Sequence, residues 1–125
     1  MKSSIIIIIV VIATAIISAL CFSKFERQGN EMNLLEKSIA DVKKIVPEGN
    51  AVSIQLVGAK MEYAIFTRYF LAPRRVHYPE IKSDTILIIN SNGCKDSVMT
   101  NVVKSKRILW QHTDSANTYT LIQDR

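Results

Sequence analysis

An uncharged run of 18 residues, from Ile5 to Phe22, constrains this chain more than any other feature of its sequence. A helix of 18 residues is about 27 Å long, close to the roughly 30 Å hydrocarbon core of a bilayer. Twelve of the 18 are Ile, Val, Leu or Phe, which together favour insertion by roughly 4–7 kcal/mol. Because backbone groups in lipid must bond to each other, the run predicts a transmembrane helix within residues 1–23.

This apolar segment has three candidate fates. A retained signal anchor needs a long apolar core, which is present, whereas a cleaved signal peptide needs a shorter core and small residues at the cleavage site. Cys21 and Ser23 provide only a weak site of that kind. A bacterial lipoprotein needs an aliphatic residue three positions before the cysteine and a small one just before it, and Ser18 and Leu20 reverse that order. We therefore expect a retained signal anchor.

The charges that flank the segment bear on its orientation. Lys2 precedes it, while Lys24 and Arg27 follow it, so the positive-inside count is nearly balanced. A very short leader before an apolar run is typical of a secretory signal. We expect a single-pass protein of the cell membrane with an extracytoplasmic body; a cytoplasmic body is the alternative.

The remaining 102 residues (125 − 23) allow one small domain. A chain of that length can bury a core without disulfides or metals. It is too short for a kinase domain or a multi-span transporter. Outside the segment the chain has 15 basic and 11 acidic residues, a net charge of +4. This mild excess favours the anionic surface of a lipid bilayer as a partner. We expect no nucleic-acid partner, because nucleic-acid binding usually requires a denser basic stripe.

The soluble body, residues 31–125, has the pattern of an α/β domain. A polar linker, residues 24–30, precedes it, and its Gly29-Asn30 pair is expected to break the membrane helix. Periodicity predicts helices over 31–46, 59–71 and 95–103, and strands over 51–57, 75–78, 85–90, 107–112 and 117–123. The continuous apolar run at 85–90 is typical of a central strand covered on both faces. The order predicts a small mostly parallel or mixed sheet, flanked by helices and ending in a β-hairpin.

Two of the predicted helices carry apolar stripes. In helix 31–46 the stripe is Met32, Leu35, Ile39, Val42 and Val46, which packs either on the body's own sheet or against a partner protomer. Helix 59–71 is apolar on two sides. One side has Met61, Ala64, Ile65 and Tyr69, and the other has Tyr63, Phe66 and Phe70.

The loop after the apolar strand contains one candidate site, formed by Asn92 and Cys94. Ligands of open α/β sheets bind beyond the carboxyl ends of strands. A cysteine near a helix N-terminus favours the nucleophilic thiolate, but it also needs a base. The only histidines are His77 and His112, and nothing in the sequence places either beside Cys94. A tight turn with a small residue is the structural alternative.

The segment 68–75 contains a second candidate binding site. Arg68, Arg74 and Arg75 could clamp a phosphate or carboxylate, and Tyr69 could offer a stacking surface. The structural alternative is a helix C-terminus whose dipole these cations complement. We expect no cofactor and no metal: nucleotide-binding glycine motifs are missing from the sequence, and His77, Glu80 and Asp84 alone make a weak ligand set.

The stretch from Asn50 to Asn90 resembles a pattern in small extracytoplasmic α/β domains of bacterial membrane proteins. The resemblance comprises a strand, an aromatic helix closing in a Tyr-x-Leu-x-Pro-Arg-like motif, and an apolar strand. The matching residues are Tyr69, Leu71, Pro73, Arg74 and the run 85–89. Some of these domains are soluble tails of polytopic, lipid-linked-sugar glycosyltransferase-like proteins. The resemblance implies an envelope location and an accessory role, and it implies no catalytic residue.

These observations predict a single-pass, membrane-anchored envelope protein with a small α/β binding or accessory domain. Such a domain would contact a membrane partner or the phosphate of an anionic lipid through the 68–75 segment. A small enzyme that uses Cys94 is the first alternative. A structural subunit that pairs through helix 31–46 is the second.

Overall fold

The structure is a computed structural model that describes residues 2–94 and 97–124. The chain divides into two compact units, Met1–Asn33 and Leu34–Arg125. The first unit is helical, and the second holds the sheet and its covering helices. The assignment of anchor, linker and domain to residues 1–23, 24–30 and 31–125 stays a prediction.

The first helix, α1 (Lys2–Ile39), contains the apolar run. An 18-residue window of it has a mean hydropathy of 3.2, and no part of that window is buried inside the protein. The Thr14 hydroxyl donates to the Val10 carbonyl at 2.8 Å, so this polar side chain is satisfied within the helix. By length and composition, α1 can cross a membrane.

The predicted helix break at Gly29-Asn30 is wrong, because α1 continues through both residues. A glycine inside a helix costs about 1 kcal/mol relative to alanine. The helical turns on either side of Gly29 offset a cost of that size, so the helix continues. The interruption falls later, between Ile39 and the short α2 (Val42–Ile45). The predicted single helix 31–46 is therefore two helices. Four of the five residues of its stripe, Leu35, Ile39, Val42 and Val46, nevertheless pack on the chain's own core, as one of the two alternatives predicted.

Five strands form one mixed sheet in the order β2-β1-β3-β5-β4. The strands are β1 (Ala51–Val57), β2 (Arg75–His77), β3 (Thr85–Ser91), β4 (Arg107–Thr113) and β5 (Asn117–Gln123). β1 runs parallel to β2 and β3, and β5 runs antiparallel to β3 and β4. This confirms the predicted α/β class, the central apolar strand and the C-terminal hairpin.

Two hydrophobic clusters cover the two faces of the sheet. On the first face the sheet packs against the end of α1, α2 and α3 (Glu62–Leu71). Its fully buried members include Leu35, Ile39, Val42, Ile54, Leu71, Leu87, Ile89, Tyr119 and Leu121. On the second face Val57, Ile86, Ile88 and Ile122 pack against α4 (Ser97–Ser105). The helix after β1 therefore covers one face, and the helix after β3 covers the other.

The limits of two helices differ from those that the sequence predicts. α3 begins at Glu62 instead of residue 59, because Gly58 takes a positive φ of +65° and the chain turns before the helix starts. α4 spans Ser97–Ser105 instead of 95–103, and the predicted start at Lys95 lies outside the described residues.

Candidate functional site

Arg74 supports the fold instead of facing a ligand. Its Nε donates to the carbonyl of Val46 at 2.6 Å, and a second guanidinium nitrogen donates to the carbonyl of Lys43. Lys43 lies in α2 and Val46 directly follows it, so both carbonyls lie at the C-terminal end of the helix, where acceptors have no partner within the helix. Arg74 therefore caps the C-terminal end of α2, whereas the sequence predicts that it clamps a ligand.

The other two arginines of the predicted clamp lie on different sides of the sheet. Arg68 is exposed on α3, which covers the first face. In β2, Val76 packs on the first-face cluster, so strand alternation directs Arg75 to the second face. The structure consequently does not bring Arg68, Arg74 and Arg75 into one anion clamp.

Tyr69 and Arg68 both lie on the outer side of α3. Tyr69 is 76% exposed, and its ring meets that of Phe70 edge-on at 5.7 Å. Arg68 lines a notch of about 80 Å³ together with Ala64, Ile65, Val76 and Tyr78. Small-molecule pockets usually measure about 300–1,000 Å³, so this notch is a surface feature.

Asn92 ties the β3–α4 loop to the hairpin turn between β4 and β5. Its Nδ2 donates to the carbonyl of Asp114 at 3.0 Å, and its Oδ1 accepts from Thr118 Oγ1 at 3.1 Å. Its backbone N–H donates to the carbonyl of Ala116 at 2.9 Å. Its amide therefore makes structural contacts with the hairpin.

Cys94 lies at the carboxyl ends of two parallel strands, β1 and β3. It is exposed, and a Cβ added to Gly58 would lie 2.9 Å from its Sγ atom. The helices after β1 and β3 depart to opposite faces at this point, which is the usual ligand position in α/β sheets. Beside it, the Asn90 Oδ1 atom is buried and without a hydrogen-bond partner among the described residues.

Neither histidine supplies Cys94 with a base through a hydrogen bond in the described part of the chain. The His112 ring stacks on Trp110 at 5.9 Å, with 11° between their planes, and lies 6.4 Å from the ring of Tyr119. His112 shares the first sheet face with Tyr119 through their pairing in the hairpin. The predicted thiol site thus has the expected position, but it lacks a visible partner base.

Sequence reasoning missed a hydrogen-bonded node around Asp114. Its Oδ1 accepts from the backbone N–H groups of Ala116 and Asn117, each at 2.7 Å. Its Oδ2 accepts from Tyr119 Oη at 2.9 Å and from Ser38 Oγ at 3.1 Å. The Asp-x-x-Asn turn is readable in the sequence, whereas the partner from α1 is distant along the chain.

The node shifts the titration of both acidic groups in it. Partial burial would raise the pKa of Asp114, but the four hydrogen bonds to its carboxylate outweigh burial and lower it. Burial, together with donation to Asp114, raises the pKa of Tyr119 above its ordinary value. Both pKa shifts favour the same protonation state, in which the Asp114 carboxylate accepts a hydrogen bond from the neutral Tyr119 phenol.

A polar groove of about 370 Å³ lies at the opposite edge of the sheet. Its lining residues are Gly49, Asn50, Ala51, Lys82, Ser83, Asp84, Thr85 and Gln123. They sit at the amino ends of β1 and β3, away from the edge where α/β sheets usually bind ligands. The Ser83 hydroxyl is already engaged with Ser53 Oγ at 2.8 Å and with the carbonyl of Thr85 at 2.9 Å.

No family model, curated protein or solved structure matches this chain. Over the residues that the structure describes, no group of three or more His, Cys, Asp or Glu side chains could hold a metal ion.

We expect Asp114→Ala to lower the free energy of unfolding by about 1–3 kcal/mol, because it leaves the Ser38 hydroxyl and two backbone N–H groups without an acceptor. The exposed Asp84 makes no side-chain hydrogen bond among the described residues, so Asp84→Ala should stay within about 0.5 kcal/mol. Urea unfolding of the full chain in detergent, followed by fluorescence of Trp110, measures both. Equal midpoints for the two variants would contradict the node.

Stability should also depend on pH through Asp114. Its pKa is lowered in the folded state, so its contribution is complete above the unfolded value of 3.8 and is lost as pH falls through the folded pKa. The wild-type urea midpoint should therefore drop more steeply than that of Asp114→Ala between pH 5 and pH 2, a range of about three units around that value. Parallel curves would show that Asp114 does not gain its bonds on folding.

The neighbouring arginines provide a matched pair of substitutions. Arg74→Ala should destabilise the domain by about 1.5–3 kcal/mol, because two carbonyls lose a charged donor. Arg75→Ala, on an exposed edge strand, should change stability by about 0.5 kcal/mol or less. Urea midpoints of the two variants would decide, and a larger loss for Arg75→Ala would contradict the assignment of Arg74 as the cap.

Proposed function

We propose that this chain is a single-pass membrane-anchored protein of the cell envelope, whose small α/β domain has a binding or accessory role. The observation that supports the proposal is α1. The large apolar side chains between Ile5 and Phe22 are all more than half exposed, which a protein in water does not tolerate over such an area. A bilayer is the environment that covers such a surface on every side of one helix.

The domain's own surfaces favour binding by contact over binding in a deep pocket. Leu35, Ile39, Val42 and Val46 are all within 3% of full burial, so they are not available to a partner protomer. This argues against the structural subunit that pairs through helix 31–46. The outer surface of the sheet's helices and the loops at the carboxyl ends of β1 and β3 stay accessible for contact.

The envelope location and the outward-facing body are part of the same proposal. They are supported by the resemblance of residues 50–90 to small extracytoplasmic domains. A domain held at a membrane by one helix reaches partners in that membrane at a high effective concentration. An accessory subunit of a membrane protein fits that arrangement.

Extraction with alkaline carbonate tests the anchor. The wild-type chain should stay in the membrane pellet, while Ile9→Asp combined with Ile12→Asp should release it, because two buried charges cost about 5–7 kcal/mol and cancel the insertion energy. The matched control places the same charges in the body, at the exposed Gln111 and Ser115, and should stay in the pellet. A soluble wild-type chain, shortened by about 2 kDa, would show a cleaved signal peptide.

A second candidate function is that of a small enzyme with Cys94 as its nucleophile. The position of the exposed thiol, where α3 and α4 diverge to opposite faces of the sheet, favours it. In a Cys21→Ser background, an activated Cys94 should react with iodoacetamide about tenfold faster than free cysteine at pH 7. A rate at or below that of free cysteine would leave Cys94 as a turn residue.

A further inference from the structure

The outer side of α3 carries an apolar stripe that no described residue of the domain covers. Met61, Ile65 and Tyr69 are 64%, 61% and 76% exposed, and their spacing of four residues puts them in one row. The inner side of the helix is buried through Ala64, Thr67 and Leu71. A helix that is apolar on both sides is typical of one that is covered on both sides, and the sheet covers only one. We call Met61, Ile65 and Tyr69 the α3 stripe.

The surface around the α3 stripe combines apolar bodies with polar ends. Ile65, Arg68 and Tyr78 line the same notch, so Arg68 and Tyr78 adjoin the stripe directly. Tyr and Arg side chains are suited to a membrane–water interface, because their apolar parts enter it while their polar ends stay hydrated.

We propose that the α3 stripe docks on the anionic headgroup surface of the bilayer that α1 spans. The inference rests on the proposed membrane anchor. Glu62 and Arg68 offset each other within α3, so the preference for anionic lipid comes from the net charge of +4 that residues 24–125 carry. Apolar contact by the stripe then sets which side of the domain meets the surface.

The size of the stripe favours lipid over a second copy of the chain. α3 has ten residues and is therefore about 15 Å long. A stable dimer buries about 800 Å² on each partner, more than one short row of three side chains provides. A domain already tethered to the membrane needs only a weak surface contact, since the tether supplies a high effective concentration of lipid.

Site-directed fluorescence in the full chain tests the docking. In a Cys21→Ser, Cys94→Ser background, a cysteine labelled with a polarity-sensitive dye replaces Ile65, Ile108 or Thr14. Ile65 lies in the stripe, Ile108 is a 49% exposed control on β4, and Thr14 reports on the anchor. Each labelled chain is reconstituted at one copy per nanodisc, with spin-labelled lipid as quencher, in discs rich in phosphatidylglycerol or made only of phosphatidylcholine.

If the stripe docks, the Ile65→Cys label should be quenched about twofold or more over the Ile108→Cys label in anionic discs, and less so in neutral discs or at high salt. Equal quenching at residues 65 and 108, with strong quenching at residue 14, would overturn the docking and leave the anchor intact. Weak quenching at all three residues would overturn the proposed anchor as well. A water-soluble quencher tests the remaining possibility. If the label at residue 65 is shielded from this quencher only when two copies share a disc, the stripe binds a second copy instead of lipid.

Discussion

The burial of β3 on both faces determines how the soluble domain is assembled. Its side chains alternate between two clusters: Leu87 and Ile89 enter the first, and Ile86 and Ile88 enter the second. All four are at most 4% exposed. A strand covered in this way needs neighbours on both edges and helices on both faces. β1 and β5 pair with the two edges of β3, and α3 and α4 cover its two faces.

That arrangement also creates the point where β1 and β3 end and their helices part. Gly58 and Cys94 meet there, and Asn92 fastens the adjoining loop to the hairpin turn. The Asp114 node holds the same turn against the end of α1 through Ser38. The loops at the carboxyl edge are consequently held by side-chain hydrogen bonds from three parts of the chain.

The strands were readable from the sequence because each obeys a local rule. β1 and β5 have the predicted bounds, since alternating or continuous apolar residues are followed by turn residues such as Gly58. The helix limits were less readable. Whether Gly29 interrupts α1 depends on the stability of the helical turns on either side of it. The interruption after Ile39 accompanies the burial of both Ile39 and Val42 against the sheet, which no local pattern shows.

The candidate site was less predictable than the fold, because its contacts join residues that are far apart in the sequence. Arg74 caps α2, about 30 residues before it, and no local pattern distinguishes that role from anion binding. Helix 59–71 was apolar on two sides, and only the structure shows that Tyr63, Phe66 and Phe70 pack on the core while Met61, Ile65 and Tyr69 face outward. Asn92 and Cys94 lie just after the end of β3, which follows from topology, and their role in binding stays a prediction.

Protease accessibility of a C-terminal tag in intact bacterial spheroplasts tests the central claim most directly, with the chain's size read on a blot before digestion. If α1 is a retained anchor and the domain lies outside, the blot should show all 125 residues plus the tag. Protease added outside should then remove the tag. A tag that stays protected until the membrane is broken would put the domain in the cytoplasm and contradict the proposed envelope role. A chain shortened at its N-terminus would contradict the retained anchor.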